Sequence, residues 1–150
     1  MDERAHVPEL DEAALERLRE AVDRDGVVAA RLFGSQARGE AGPLSDIDIA
    51  VWLDPRLPPG ARFDLRMELI GAATAALRTN EVDVVPLNDA PPLLRHRAIR
   101  DGRLLLERDA RQRIGLDTDS VLEYLDTAPL RRTLEAELRR RLEEGTFGRR

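Results

Sequence analysis

The sequence predicts an α/β fold, in which helices pack against a central sheet. Segments with apolar residues at helical spacing alternate with short apolar runs between residues 10 and 107. The length of 150 residues is enough for one domain with a sizeable core. Hydrophobic residues make up 42% of the chain, which is too much apolar content for a disordered segment.

Each element follows from the local spacing of apolar residues. Helical spacing predicts helices over 8–25, 61–78, 93–100 and from 110 onward, with a break near Pro129. Runs of branched and aromatic residues predict strands over 27–33, 46–53, 81–87 and 104–107. Gly26 and Gly102 stand where helices should end, and glycine and proline indicate loops over 36–45 and 54–60.

The last predicted helix is amphipathic. Four leucines recur at steps of four, flanked by arginine and glutamate in nearly equal numbers: Leu130, Leu134, Leu138 and Leu142. The balanced charge favours a helix with intrahelical ion pairs over an RNA-binding arm. The leucine stripe therefore faces either the core or a partner.

Composition excludes several kinds of chemistry. There are no cysteines, so disulfides, thiolate metal sites and a cysteine nucleophile are absent. All 24 residues counted as Lys or Arg are arginine, which removes the Schiff-base and P-loop lysines. The net charge of −5 argues against direct nucleic-acid binding. No stretch is apolar enough to span a membrane or to act as a leader, so a cytoplasmic protein is expected.

One motif carries the predicted chemistry. Gly34-Ser35 follows the first strand, and ten residues separate Ser35 from Asp46-Ile47-Asp48, which gives the pattern G-S-x10-D-x-D. Because side chains alternate along a strand, Asp46 and Asp48 project from the same face and can hold divalent cations such as Mg²⁺. The backbone N–H groups and hydroxyl of the Gly-Ser pair can bind an anion such as a triphosphate. Together they predict a nucleotide site with a phosphate end and a metal end.

This pattern resembles the signature of the minimal nucleotidyltransferases of the DNA polymerase β superfamily. Residues 34–40 (GSQARGE) resemble the MntA-type antitoxins of HEPN/MNT toxin–antitoxin systems. The resemblance is strongest over 33–53 and extends more loosely to about residue 130. It implies a polymerase-β-like nucleotidyltransferase core, a mixed sheet flanked by helices, over 1–108. Residues 109–150 would form a helical extension that packs on the core or on a partner.

The resemblance also implies an activity. Members of this antitoxin family transfer AMP from ATP to a tyrosine of a HEPN-domain toxin encoded beside them, which makes ATP the substrate and the toxin the partner. The family's third carboxylate matches Asp83, which would complete a site for two Mg²⁺ ions and accept the proton of the attacking hydroxyl. Arg38 is a candidate phosphate ligand, and Ser45 is a candidate for binding close to the metal ions. A surface role for Arg38 and a turn cap for Ser45 are the alternatives.

Other readings of the sequence stay open. The protein can be an antitoxin that neutralises its partner by binding alone, or a nucleotidyltransferase that acts on a small-molecule hydroxyl. Tyr124, the only tyrosine, is either a packing residue of an amphipathic helix or an AMP acceptor in self-modification. His6 and His96 are expected to be solvated. No G-x-S-x-G elbow accompanies them, which argues against a serine hydrolase.

Overall fold

Helices and strands alternate along the chain as the apolar spacing predicts. The computed structural model describes residues 10–33 and 47–145. These residues form a four-stranded mixed sheet and five α-helices, which confirms the α/β class. The strands are β1 (Val27–Phe33), β2 (Ile47–Leu53), β3 (Val82–Pro86) and β4 (Arg103–Glu107). The helices are α1 (Glu12–Val22), α2 (Pro59–Leu77), α3 (Pro92–Asp101), α4 (Ala110–Asp126) and α5 (Ala128–Glu143), with one 3₁₀ turn at Leu87–Asp89.

The sheet has the strand order β3-β2-β1-β4. β1 runs antiparallel to β2 and to β4, whereas β2 and β3 are parallel. Parallel neighbours need a crossover connection, and α2 supplies it between β2 and β3. β3 therefore lies at one edge of the sheet, beside α2.

One face of the sheet packs against α1 and α2. The prediction from a period of two is confirmed for β2, because alternate residues enter this core: Ile47, Ile49, Val51 and Leu53. Leu15 and Leu18 of α1 and Leu69 of α2 cover them and are fully buried. Burying such a side chain stabilises the fold by about 1.5–3 kcal/mol.

The opposite face packs against α3, the 3₁₀ turn and α4. Its core contains Ala50 and Trp52 of β2, Leu87 of the 3₁₀ turn and Ala98 of α3, with Leu116 of α4 packed against them. The sheet is thus covered on both faces, in a three-layer arrangement. Asp48 belongs to the same alternating set as Ala50 and Trp52, so the position of this second core fixes which side of the sheet Asp48 faces.

The helix ends follow local chemistry. The carboxylates of Asp11 and Asp109 accept hydrogen bonds from the first turns of α1 and α4, at 2.8 and 2.9 Å. Gly26 turns the chain from α1 into β1 with φ +92°, where a Cβ would meet Leu65 Cδ2 at 2.9 Å. α2 begins at Pro59, inside the segment predicted as a loop up to Gly60. Proline favours the first helical turn, where its missing N–H costs nothing.

The C-terminal helix α5 lies on the outside of the described structure. It contains no buried residue, and its leucine stripe is between 48% and 64% exposed. The break near Pro129 is confirmed, since α4 ends at Asp126 and α5 begins at Ala128. The stripe does not face the core formed by the described residues.

Candidate active site

Two carboxylates lie side by side on the parallel strands β2 and β3. Asp48 is aligned in register with Asp83, and both residues are half-buried. Ile49 and Val84, one position further along each strand, are fully buried against α1 and α2. The two aspartates therefore project from the opposite face. Adjacent strands lie about 4.8 Å apart, so their side chains can reach one shared ligand.

The register brings two negatively charged side chains close together. Two negative charges about 4 Å apart repel each other by about 1 kcal/mol in water, and more strongly in less polar surroundings. A divalent cation between them converts that repulsion into attraction. Carboxylate oxygens are the ligands that Mg²⁺ prefers, and Mg²⁺ completes its shell with water and substrate phosphates. The donor set formed by Asp48 and Asp83 therefore fits a magnesium ion.

Arg66 of α2 contacts β3 at Asp83, one member of this pair. Its Nε donates to the Val84 carbonyl at 2.7 Å, and its Nη2 lies 3.3 Å from Asp83 Oδ1. The guanidinium thereby orients the Asp83 carboxylate and covers part of the exposed strand edge. Sequence reasoning missed Arg66, because nothing in its local sequence sets it apart from the other arginines.

The remaining predicted site residues are Gly34, Ser35, Arg38, Ser45 and Asp46, and they lie outside the described residues. The chain leaves the sheet at Phe33, which is paired with Asp48, and returns at Ile47 beside Val82. Both ends of the G-S-x10-D-x-D segment therefore join the sheet next to the Asp48–Asp83 pair. Within 10–33 and 47–145, no group of three His, Asp or Glu side chains is arranged to hold a metal ion.

A buried polar network fixes β1 and β2 to α4. Asp117 of α4 accepts two hydrogen bonds from Arg31 of β1, at 3.2 and 2.5 Å, and one from Trp52 Nε1 at 2.8 Å. Arg113 adds a further bond at 2.8 Å and also binds Glu107. Burial disfavours the charged form of Arg113, but its hydrogen bonds to Glu107 and Asp117 outweigh this effect and raise its pKa. Arg31 lies two residues before Phe33, so the network anchors the strand that leads into the Gly34-Ser35 segment.

A second polar cluster joins α3, α4 and α5. The His96 ring stacks on Tyr124 with centroids 3.7 Å apart, and the Arg131 guanidinium lies 3.5 Å from the Tyr124 centroid. His96 Nδ1 is buried and lacks a hydrogen-bond partner in the described part of the chain. His96 was expected to be solvated, and the structure instead shows it half-buried. The sequence did not indicate that α3 and α4 pack together and bring its ring onto Tyr124.

No helix in the described ranges is long and apolar enough to cross a membrane. A search of curated proteins gives no match to this chain. Solved structures do match. A chain of a toxin–antitoxin crystal structure with AMP-PNP is 26% identical, with a TM-score of 0.53, over 91% of this chain and 99% of that one.

Two structures from Shewanella oneidensis extend this likeness. One contains a tri-AMPylated HEPN toxin in complex with MNT antitoxin. Its matching chain is 25% identical, with a TM-score of 0.56, over 83% of this chain and 91% of that chain. The other is 22% identical, with a TM-score of 0.60 over 85% of this chain and 98% of its own, and it supports the fold. The predicted likeness to MNT antitoxins is confirmed.

The family is shown by the sequence itself. Residues 16–111, well over half of the chain, match the family model described as polymerase beta, nucleotidyltransferase. The matched region runs from α1 to the start of α4 and includes the G-S-x10-D-x-D segment, Asp48 and Asp83. The polymerase-β-like fold predicted from the motif is thereby confirmed. This chain belongs to the polymerase β nucleotidyltransferase family.

Proposed function

We propose that this protein is an antitoxin that acts as a Mg²⁺-dependent protein adenylyltransferase, transferring AMP from ATP to a tyrosine of a HEPN-domain toxin. The observation that carries the proposal is the register of Asp48 with Asp83, which pairs the D-x-D motif with a carboxylate of the next strand. The neighbouring structures support the reaction and the partner, since one holds AMP-PNP and another a tri-AMPylated HEPN toxin.

The carboxylates would hold the metal ions. Asp46, Asp48 and Asp83 supply hard oxygen ligands, and two Mg²⁺ ions would need at least one carboxylate in common. When bound, Mg²⁺ neutralises phosphate charge and lowers the pKa of an attacking hydroxyl. Gly34 and Ser35 would seat the triphosphate, with Arg38 and Ser45 as additional ligands.

The transfer is a single displacement at phosphorus. The tyrosine oxygen attacks the α-phosphorus of ATP, the bond from that phosphorus to the bridging oxygen of the β-phosphate breaks, and pyrophosphate leaves. The phenolic proton passes to the Asp83 carboxylate, which Arg66 keeps oriented. Little covalent work falls to the protein, so positioning and charge neutralisation supply most of the rate.

The test uses the purified chain with the toxin encoded beside it. Incubation with ATP and Mg²⁺ should raise the intact mass of the toxin by whole AMP groups. The double variant Asp46→Asn, Asp48→Asn should leave the toxin mass unchanged and keep a wild-type unfolding temperature. Asp119→Asn, which alters an exposed carboxylate of α4, is the matched control and should retain transfer.

Three results would contradict the proposal. Transfer retained by the double variant would exclude the carboxylate mechanism. A double variant that still neutralises the toxin in cells would instead support an antitoxin that acts by binding alone. AMP found only on an added small-molecule alcohol would favour a nucleotidyltransferase that acts on a small-molecule hydroxyl.

A further inference from the structure

We propose that a cleft beside Asp83 seats the acceptor tyrosine, an inference that rests on the proposed function. The cleft, called here the α2–α3 cleft, has a volume of about 430 Å³. That volume falls in the usual range of ligand sites, about 300–1,000 Å³. Its walls come from α2, the end of β3 and the start of α3, and include Arg62, Phe63, Arg66, Val85, Asp89 and Leu94.

The cleft adjoins the carboxylate pair directly. Arg66 lines the cleft and also contacts Asp83 Oδ1 at 3.3 Å. Val85, on the cleft wall, lies two residues beyond Asp83 on the same face of β3, which corresponds to about 6–7 Å along the strand. A group bound in the cleft can therefore present an oxygen to Asp83.

The order of the strands assigns the cleft to the acceptor. The predicted triphosphate segment follows β1, the carboxylates lie on β2 and β3, and the cleft lies at the outer edge of β3. Phosphoryl transfer places the attacking oxygen and the leaving group roughly in line, on opposite sides of the phosphorus. The proposed seat of the triphosphate at Gly34 and Ser35 follows β1 in the chain, so pyrophosphate would leave on the β1 side. The attacking hydroxyl would then enter from the β3 side, where the cleft lies.

The chemistry of the walls fits a phenol. Phe63 is 58% exposed although it is a large aromatic residue, and it offers a ring for stacking or edge contact. Arg62 is mostly buried and pairs with Asp89 at 3.5 Å, while its buried Nε has no hydrogen-bond partner among the described residues. An oxygen atom of the acceptor can accept a hydrogen bond from the Nε–H of Arg62. Serine and threonine side chains have no ring to stack on Phe63.

The experiment separates acceptor binding from nucleotide binding. Phe63→Ala should raise the KM for the toxin in AMP transfer by roughly tenfold, the loss expected for an aromatic contact. Because Phe63 is exposed, the fold and the affinity for AMP-PNP should not change. Phe63→Tyr should keep a KM close to wild type. A KM unchanged by Phe63→Ala would overturn the assignment.

A direct titration tests the cleft without the toxin. N-acetyl-L-tyrosinamide, added with AMP-PNP and Mg²⁺, should shift the amide signals of Phe63, Val85 and Leu94, and Phe63→Ala should weaken its binding. Leu122→Ala removes a side chain that is 54% exposed on α4 and should leave the titration unchanged. Shifts confined to other regions would overturn the proposal. If the wild type modifies no protein, the proposed function fails, and this titration still decides whether the cleft binds a tyrosine.

Discussion

Replacing Asp117 with alanine should destabilise the fold by about 4 kcal/mol. The side chains of Arg31 and Asp117 are only 7% and 12% exposed, and the change leaves the Arg31 guanidinium buried without its carboxylate. Breaking a buried ion pair in this way costs about 3–5 kcal/mol. The Trp52 N–H loses its acceptor as well, so we expect a cost no lower than the middle of that range.

That loss is large for a domain of this size. Total stabilities are about 5–15 kcal/mol, and each kcal/mol shifts the Tm of a chain of 150–250 residues by about 2–4 °C. Asp117→Ala should therefore lower the Tm by about 8–16 °C. Asp119→Ala, an exposed position on the same helix, should stay within about 0.5 kcal/mol of wild type.

Urea unfolding followed by circular dichroism measures both variants. A double variant, Arg31→Met with Asp117→Ala, should be less destabilised than the sum of its single changes, because it no longer buries an unpaired cation. The reasoning would be refuted if Asp117→Ala cost less than about 1 kcal/mol, which is the typical cost of an ordinary substitution, or if the two changes were additive.

Two predictions concern α5. Hydrogen bonds from Arg140 and Arg141 lower the pKa of the Glu137 carboxyl from its ordinary value of 4.5 to about 2. Because the pKa is lowered in the folded state, the stabilisation by these hydrogen bonds is complete above pH 4.5. It is lost as the pH falls toward 2. NMR titration of the carboxyl should give a midpoint near 2, and a midpoint near 4.5 would exclude the bonds in solution. Changing Leu134 and Leu138 to glutamine should alter the unfolding free energy by no more than about 0.5 kcal/mol each, since both are exposed. A loss of several kcal/mol in urea unfolding would show that the stripe packs inside the molecule.

Local patterns in the sequence predicted most of the fold. Alternation in β2 assigned Ile49 to the core and Asp48 to the other face, because side-chain direction in a strand depends only on position parity. Pro59 and Gly60 were predicted as loop and belong to α2, since proline suits both a loop and a first helical turn.

Local patterns could not predict which residues distant in the sequence pair with each other. The alignment of Asp48 with Asp83 depends on a parallel pairing between strands separated by α2, and no local signal sets that register. Nothing in the residues around Arg31 indicates that its charge is buried, because its partner Asp117 lies on a helix 86 residues away. His96 was expected in solvent for the same reason, since its stacking partner belongs to another helix.

The central claim is that the Asp48–Asp83 pair directs AMP transfer from ATP to the toxin. ATP labelled in its α-phosphate or its γ-phosphate, incubated with the chain, Mg²⁺ and the toxin, tests it most directly. The toxin should acquire label from the α-phosphate alone. Asp48→Asn and Asp83→Asn should each slow the transfer by at least about a hundredfold, because each removes several kcal/mol of charge stabilisation. Label from the γ-phosphate, or transfer at the wild-type rate by either variant, would contradict the account.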